Sequence, residues 1–143
     1  MAIRQISVFV DNKKGALADL LQHVAADGID LRALAIADTA DFGILRFITT
    51  DAEKAAQTLT AEGYICSLTD VVAAHIDDQP GGLAAELAVL ASADIDVEYL
   101  YAFVTPLDNH ACVVLRVNDN AAAEGALSAA GVTLLTEADV AAL

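Results

Sequence analysis

The sequence predicts an α+β protein built from two tandem βαββαβ units. Three observations predict it. Asp11 to Leu21 reads DNKKGALADLL and Asp77 to Leu87 reads DDQPGGLAAEL, each after an apolar run, VFV and AHI. The match extends at one offset: Leu17 recurs as Leu83, 66 residues on, and the same step pairs Val10 with Ile76, Gly15 with Gly81, Ile29 with Ile95 and Leu34 with Leu100. Past a longer hairpin in the second copy, Arg46 pairs with Arg116, Leu59 with Leu127 and Gly63 with Gly131. A fixed long period of this kind marks duplicated structural units. The copies meet near Thr69–Val71, so the expected units are residues 1–69 and 70–143.

Each element has a local reason. Ile3, Ile6, Val8 and Val10 suggest a strand. Ala16 to Ala26 carries Leu17, Leu20, Leu21 and Val24 at helical spacing. Asp27-Gly28 stops that helix, with Gly28 suited to a left-handed cap. Ile29 to Ala37 reads as a second strand, and the parity change between Leu31 and Leu34 points to a bulge. Phe42 to Thr49 is a third strand. Asp51 can cap a helix that runs to about Glu62 and stops at Gly63. Tyr64 to Leu68 is a fourth strand.

The second copy repeats the pattern. Strands are expected at Val71–Ile76, Ile95–Val104, Ala111–Val117 and Val132–Leu135. Helices are expected at Leu83–Ala91 and Asn120–Ala130, with a turn at Pro106–Asn109 and a short last helix at Glu137–Leu143. This order is that of a ferredoxin-like sandwich, an antiparallel sheet covered on one face by two helices. One such unit is small and leaves a sheet edge unpaired. Laying the two second strands side by side would give one eight-stranded sheet.

Composition narrows the function. With 57% apolar and 20% charged residues the chain is not of disordered type. Its 21 acids against 7 bases, a net charge of −14, argue against nucleic acid and against anionic membrane surfaces. Six of the seven bases lie in the first half; Arg116 is the seventh. Ile3–Val10 is too short and too interrupted for a signal peptide, and no apolar stretch is long enough for a membrane span. Cys66 and Cys112 have neither metal-type nor redox-type spacing and read as two buried thiols acting as small hydrophobes, in a reducing cytoplasm. His23, His75 and His110 have no paired spacing with acids or cysteines, so no metal site is expected. The serines lack a nucleophile-elbow context, and no phosphate-binding loop or dinucleotide fingerprint occurs. No catalytic group and no cofactor is therefore expected. Tyr99, Tyr101 and Phe103 alternate on one strand and are read as core or dimer packing.

The repeated loop is the feature left for function. A helix start presents N–H groups without intrahelical partners and a partial positive charge. Glycine at 15, or at 81 and 82, allows a sharp turn and close approach. Pro80 suits the entry to a helix. Together these make a small anion site fit for a carboxylate. Lys13 and Lys14 make the first loop the better carboxylate receptor, and Asp78 favours an ammonium end. Arg32 and Glu98 hold equivalent positions on the second strands and could form an ion pair or line the sites.

The βαββαβ order, a first loop such as Asp78-Gln79-Pro80-Gly81-Gly82-Leu83, and Gly28-Ile29-Asp30-Leu31 at the second strand together resemble the ACT domain. The whole chain is similar to small free-standing tandem-ACT proteins. That resemblance implies a regulatory, amino-acid-binding module with ligands where two units meet. Carried over, one site pairs Asn12, Lys13, Gly15, Ala16 and Leu17 with Asp96, Val97 and Glu98. The other pairs Asp78, Gly81, Gly82 and Leu83 with Asp30, Leu31 and Arg32. The expected function is a non-enzymatic sensor, a homodimer with a small amino acid as ligand. The alternative is an accessory subunit, similar to the small subunit of acetolactate synthase, that docks on a regulated enzyme. A small enzyme on this scaffold ranks third, for want of convergent catalytic groups.

Overall fold

The computed structural model describes residues 2–38, 40–105 and 110–143. In chain order the elements are β1 (Ile3–Asp11), α1 (Ala16–Ala26), β2 (Leu31–Asp38), β3 (Phe42–Thr49), α2 (Ala52–Ala61) and β4 (Cys66–Asp77). They continue with α3 (Gly82–Ser92), β5 (Val97–Ala102), β6 (His110–Val117), α4 (Asn120–Ala129) and α5 (Glu137–Ala142). The chain divides into two compact units. One is Arg4–Thr69, and the other is Asp70–Leu143 with Ile3. They are called here the N-terminal and C-terminal units.

In the N-terminal unit β3 is the central antiparallel partner of both β1 and β2. Ile65 adds to the other side of β1, where the Phe9 N–H donates to its carbonyl at 3.1 Å. Alternation sends Ile6, Val8 and Val10 of β1 and Leu45 and Phe47 of β3 to one face. There they bury against Leu20 and Val24 of α1 and Ala55 and Leu59 of α2, with Ile29 closing the cluster. Helices and sheet thus form two layers around one core.

The C-terminal unit is built the same way. β6 pairs with β4 and β5. Val72, Ala74, Val113, Leu115 and Val117 pack against Leu90, Ala123 and Leu127, with Ile95 in the place of Ile29. The predicted bulge is present: the β2 register shifts between Leu31 and Ala33, and that of β5 between Val97 and Tyr99. Arg32 and Glu98 therefore sit at the irregular step of their strands.

The expected eight-stranded sheet is not formed. The described residues hold six strands. The segments expected as two strands, Tyr64–Leu68 and Val71–Ile76, run on as the single strand β4, because the polar Ser67–Asp70 stretch keeps the extended backbone. Val132–Leu135 makes only an isolated bridge, Ala74 to Leu134. It is held by His75 N–H to Thr133 O and Leu135 N–H to Ala73 O, both at 2.9 Å. The ladder pairings of β2 are with β3 and those of β5 with β6, rather than with each other. The turn expected at Pro106–Asn109 lies outside the described residues.

Helix ends follow the chemistry of the caps. The Asp51 carboxylate accepts from Lys54 N–H at 3.0 Å, and Asp119 accepts from Ala122 N–H at the same distance. Thr136 and Asp139 form a reciprocal capping box at the start of α5. The backbone and side-chain hydrogen bonds from Thr136 hold the Asp139 carboxyl below its usual range. Asp51→Ala and Asp119→Ala should each cost about 1 kcal/mol and lower the thermal midpoint by a few degrees. The matching positions in the two units should give matching losses by denaturant titration.

Candidate functional site

Each unit carries a cleft at its repeated loop, and the two clefts are equivalent. In the N-terminal unit β1 ends at Asp11, and the chain turns by Lys13 N–H to Asp11 O (2.9 Å) and Ala16 N–H to Lys13 O (3.2 Å). In the C-terminal unit Gln79 N–H donates to Asp77 O (2.8 Å) and Gly82 N–H to Gln79 O (3.1 Å). Gly15 and Gly81, at φ 84° and 88°, then cap α1 and α3 from the left-handed region, where a Cβ is strained. No side chain caps either helix. The second and third N–H groups of each helix thus have no partner from an ordinary cap.

The turn also uses donors that the sequence reading assigned to a ligand. Ala16 N–H and Gly82 N–H are satisfied within the loop. Ala16 and Gly82 nonetheless line their clefts. Gly82 has a steric reason as well: a Cβ there would lie 2.2 Å from Asp77 O.

The N-terminal cleft, about 420 Å³, is lined by Phe9, Asp11, Lys13, Ala16, Asp19, Phe42 and Tyr64 among others. Phe9 and Phe42 meet edge to face at 5.6 Å between ring centres. Lys13 pairs with Asp11 at 3.4 Å, with both side chains well exposed. Such a pair contributes little, about 0–1 kcal/mol.

The C-terminal cleft is of the same size, about 420 Å³, and uses the same places in the fold. Its chemistry is different. His75 and His110 replace the phenylalanine pair and meet edge to face at 5.8 Å. Gln79 replaces Lys13. Glu86 stands where the N-terminal unit has the core residue Leu20.

Glu86 is only 6% exposed. Its Oε2 is shut off from water and has no hydrogen-bond partner among the described residues. Burial, and then the nearby Asp77 charge, push its pKa from the ordinary 4.5 up to about 7. The Cys112 thiol beside it is raised to about 11, by burial and then by Glu86, which makes it a poor nucleophile. Burial also raises Cys66, and both cysteines are free. Among the described residues no three His, Cys, Asp or Glu side chains lie close enough to hold a metal ion.

Not all the sequence-predicted residues gather at these clefts. Lys13 and Ala16 line one, and Gly81 and Gly82 the other. Asn12, Gly15, Leu17, Asp78 and Leu83 belong to the same turns and helix starts without lining the clefts. Asp30, Leu31 and Arg32 lie at the start of β2, and Asp96, Val97 and Glu98 at the start of β5; none of them lines either cleft. Arg32 pairs with Asp30 at 3.0 Å, and Glu98 with Arg116 at 3.2 Å. Glu86, His75 and His110 were not among the expected ligand residues. The signal for Glu86 was present in the repeat, which aligns it with an apolar core position.

Comparison with known proteins accounts for the duplication. The family model of an ACT domain pair matches residues 1–143. The chain belongs to the ACT domain family. A protein of known crystal structure from Bacteroides thetaiotaomicron is 36% identical over 100% of this chain and 98% of that one, with a TM-score of 0.93. The regulatory subunit of aspartate kinase from Thermus thermophilus, in a ligand-free form, has a TM-score of 0.67 at 20% identity, covering 90% of this chain and 89% of that one. The corresponding subunit from Thermus flavus has a TM-score of 0.61 at 18% identity, covering 90% and 92%. These last two share the fold. A comparison with curated proteins finds no match. Tandem ACT units are typical of regulatory, amino-acid-binding modules, and among the described residues no helix is long and apolar enough to cross a membrane.

The raised Glu86 pKa has a definite sign. Between about pH 4.5 and 7 the folded carboxyl holds its proton while the unfolded one has released it, so stability falls as pH rises through that window. Glu86→Leu should remove this dependence. Its advantage over the parent should grow from pH 4 to pH 8 by on the order of 3 kcal/mol, read as the difference between two denaturant titrations.

Proposed function

We propose that this tandem ACT protein is a non-enzymatic regulator that binds a small amino acid at its first loops. One observation carries the reading: each unit opens a cleft beside a helix start that a left-handed glycine, and no side chain, caps. First-turn N–H groups and the helix dipole suit a carboxylate. The acidic groups at the clefts, Asp11 and Asp19 in one and Asp77 and Glu86 in the other, suit an ammonium. A zwitterion offers both.

The residues at the starts of β2 and β5, Asp30 to Arg32 and Asp96 to Glu98, belong to the same proposal. They would receive the ligand's far side from a first loop of another unit. Assembly as a homodimer and location in the cytoplasm are further parts of it. Regulation then requires that the ligand bind two states of the protein, or of a complex, with different affinities. The structural likeness to regulatory subunits of aspartate kinase supports a second reading, in which the chain acts by docking on a catalytic partner.

Thermal-shift screening of the full chain against the free amino acids tests the first reading. One or two of them should give a saturating rise in the midpoint. Gly15→Ala and Gly81→Ala, each adding a left-handed Cβ at a cost of about 1–2 kcal/mol, should weaken that rise for the loop altered. No rise with any amino acid, together with co-purification of a larger enzyme, favours docking instead.

A further inference from the structure

Duplication gave this chain two clefts of one design, and substitutions at matching positions have set them apart. Phe9 and Phe42 correspond to His75 and His110, since Phe9 and His75 are 66 residues apart while Phe42 and His110 pair with the equivalent Asp11 and Asp77. Lys13 corresponds to Gln79, and Leu20 to Glu86. The C-terminal cleft thus lacks the cation Lys13, has Ala85 in place of the exposed Asp19, and carries its second carboxyl, Glu86, on the buried inner wall instead. The Glu86 position is a core position: its counterpart Leu20 is fully buried among Val8, Val10 and Val24. A carboxyl there forgoes the gain from burying leucine and gives up hydration as well. Among the described residues no group satisfies its Oε2.

We propose that the cleft of the C-terminal unit binds a protonated amine, with the Glu86 carboxylate as its counter-ion. The proposal rests on the amino-acid reading above and adds to it which cleft takes the ammonium and through which residue. The lining supports a cation. Asp77 and Glu86 both belong to the wall, and among the described residues no lysine or arginine does. The overall charge of −14 draws cations toward the protein. A metal ion lacks a third ligand among the described residues, whereas a compact ammonium needs only a carboxylate and one or two further acceptors. Such acceptors line the same cleft in Asp77 and Gln79. The N-terminal cleft has Leu20 in the place of Glu86, so its carboxylates, Asp11 and Asp19, are both exposed, and Lys13 stands among them.

Protonation follows from the geometry. The groups that bear on Glu86 are Asp77 and His75 from β4, and His110 and Cys112 from β6. Its neighbours on α3 at the cleft, Gly82, Ala85 and Val89, are uncharged, as are residues 130–133. In the free protein the carboxyl titrates near pH 7. A bound ammonium favours the anion, so binding releases a proton and tightens as pH rises through that region.

The test is carboxyl-carbon NMR on the full chain with labelled glutamate, at pH 6 and pH 8. It uses n-butylammonium chloride as an amine without a carboxylate, sodium butyrate as the reverse, and L-alanine as a zwitterion. The Glu86 resonance should move saturably with n-butylammonium, more readily at pH 8, and should stay put with butyrate. Glu86→Gln and Glu86→Leu should weaken amine binding roughly tenfold or more. The leucine variant restores the residue of the sister unit and should fold. Movement with L-alanine too identifies the amine as an amino-acid ammonium. Movement with the amine alone supports the cleft while the amino-acid reading fails. A Glu86 resonance indifferent to the amine overturns the proposal. So does an amino acid that slows hydrogen–deuterium exchange at the head of α3 equally in the parent and in Glu86→Gln, and in that case the amino-acid reading stands without Glu86.

Discussion

A helix that begins on a left-handed glycine needs no side chain at its cap, and this backbone constraint organises each unit. Gly15 and Gly81 swing the chain from the end of a strand into α1 and α3. The tight loop bonds before them, Lys13 N–H to Asp11 O and Gln79 N–H to Asp77 O, fix where each helix starts. The start fixes which residues of the helix reach the core, since those four apart share a face. Leu20 and Val24 reach it in one unit, and Glu86 and Leu90 in the other. The same turn leaves a cleft in front of the helix. Core packing and binding surface thus come from one local geometry.

Duplication explains how that geometry could diverge in function without losing the fold. The cores keep their outline: Ile29 and Ile95, Ala55 and Ala123, Leu59 and Leu127 occupy matching places. The two cleft linings have not been kept alike. One has an aromatic pair where the other has a histidine pair, and one a buried leucine where the other has a buried acid. A carboxyl with a strongly raised pKa and an unsatisfied oxygen is destabilising in a small core. Groups of that kind concentrate at binding and reaction sites, where a ligand supplies the missing interaction.

Much of the fold was legible because its signals are local. The apolar spacing of Ala16–Ala26 marked α1, Asp51 marked the cap of α2, and the parity change from Leu31 to Leu34 marked the bulge. Strand continuity was not legible. Thr69 and Asp70 read as a boundary, yet a backbone ladder does not require apolar side chains, and β4 runs through them. Val132–Leu135 has strand composition but settles for a bridge. Which strands lie beside each other depends on distant partners, so the eight-stranded arrangement did not follow from local pattern. At the site, the turn and its glycines were visible, whereas Glu86 was hidden by its type. A glutamate in a helix reads as solvent-facing until the repeat aligns it with Leu20.

The central claim is that the glycine-capped turns receive the ligand. Hydrogen–deuterium exchange of the full chain, with and without the amino acid that stabilises it most, tests this directly. The account predicts slowed exchange concentrated in residues 12–18 or 78–84, at the head of α1 or α3. Saturating binding that leaves both turns exchanging as in the free protein would contradict it.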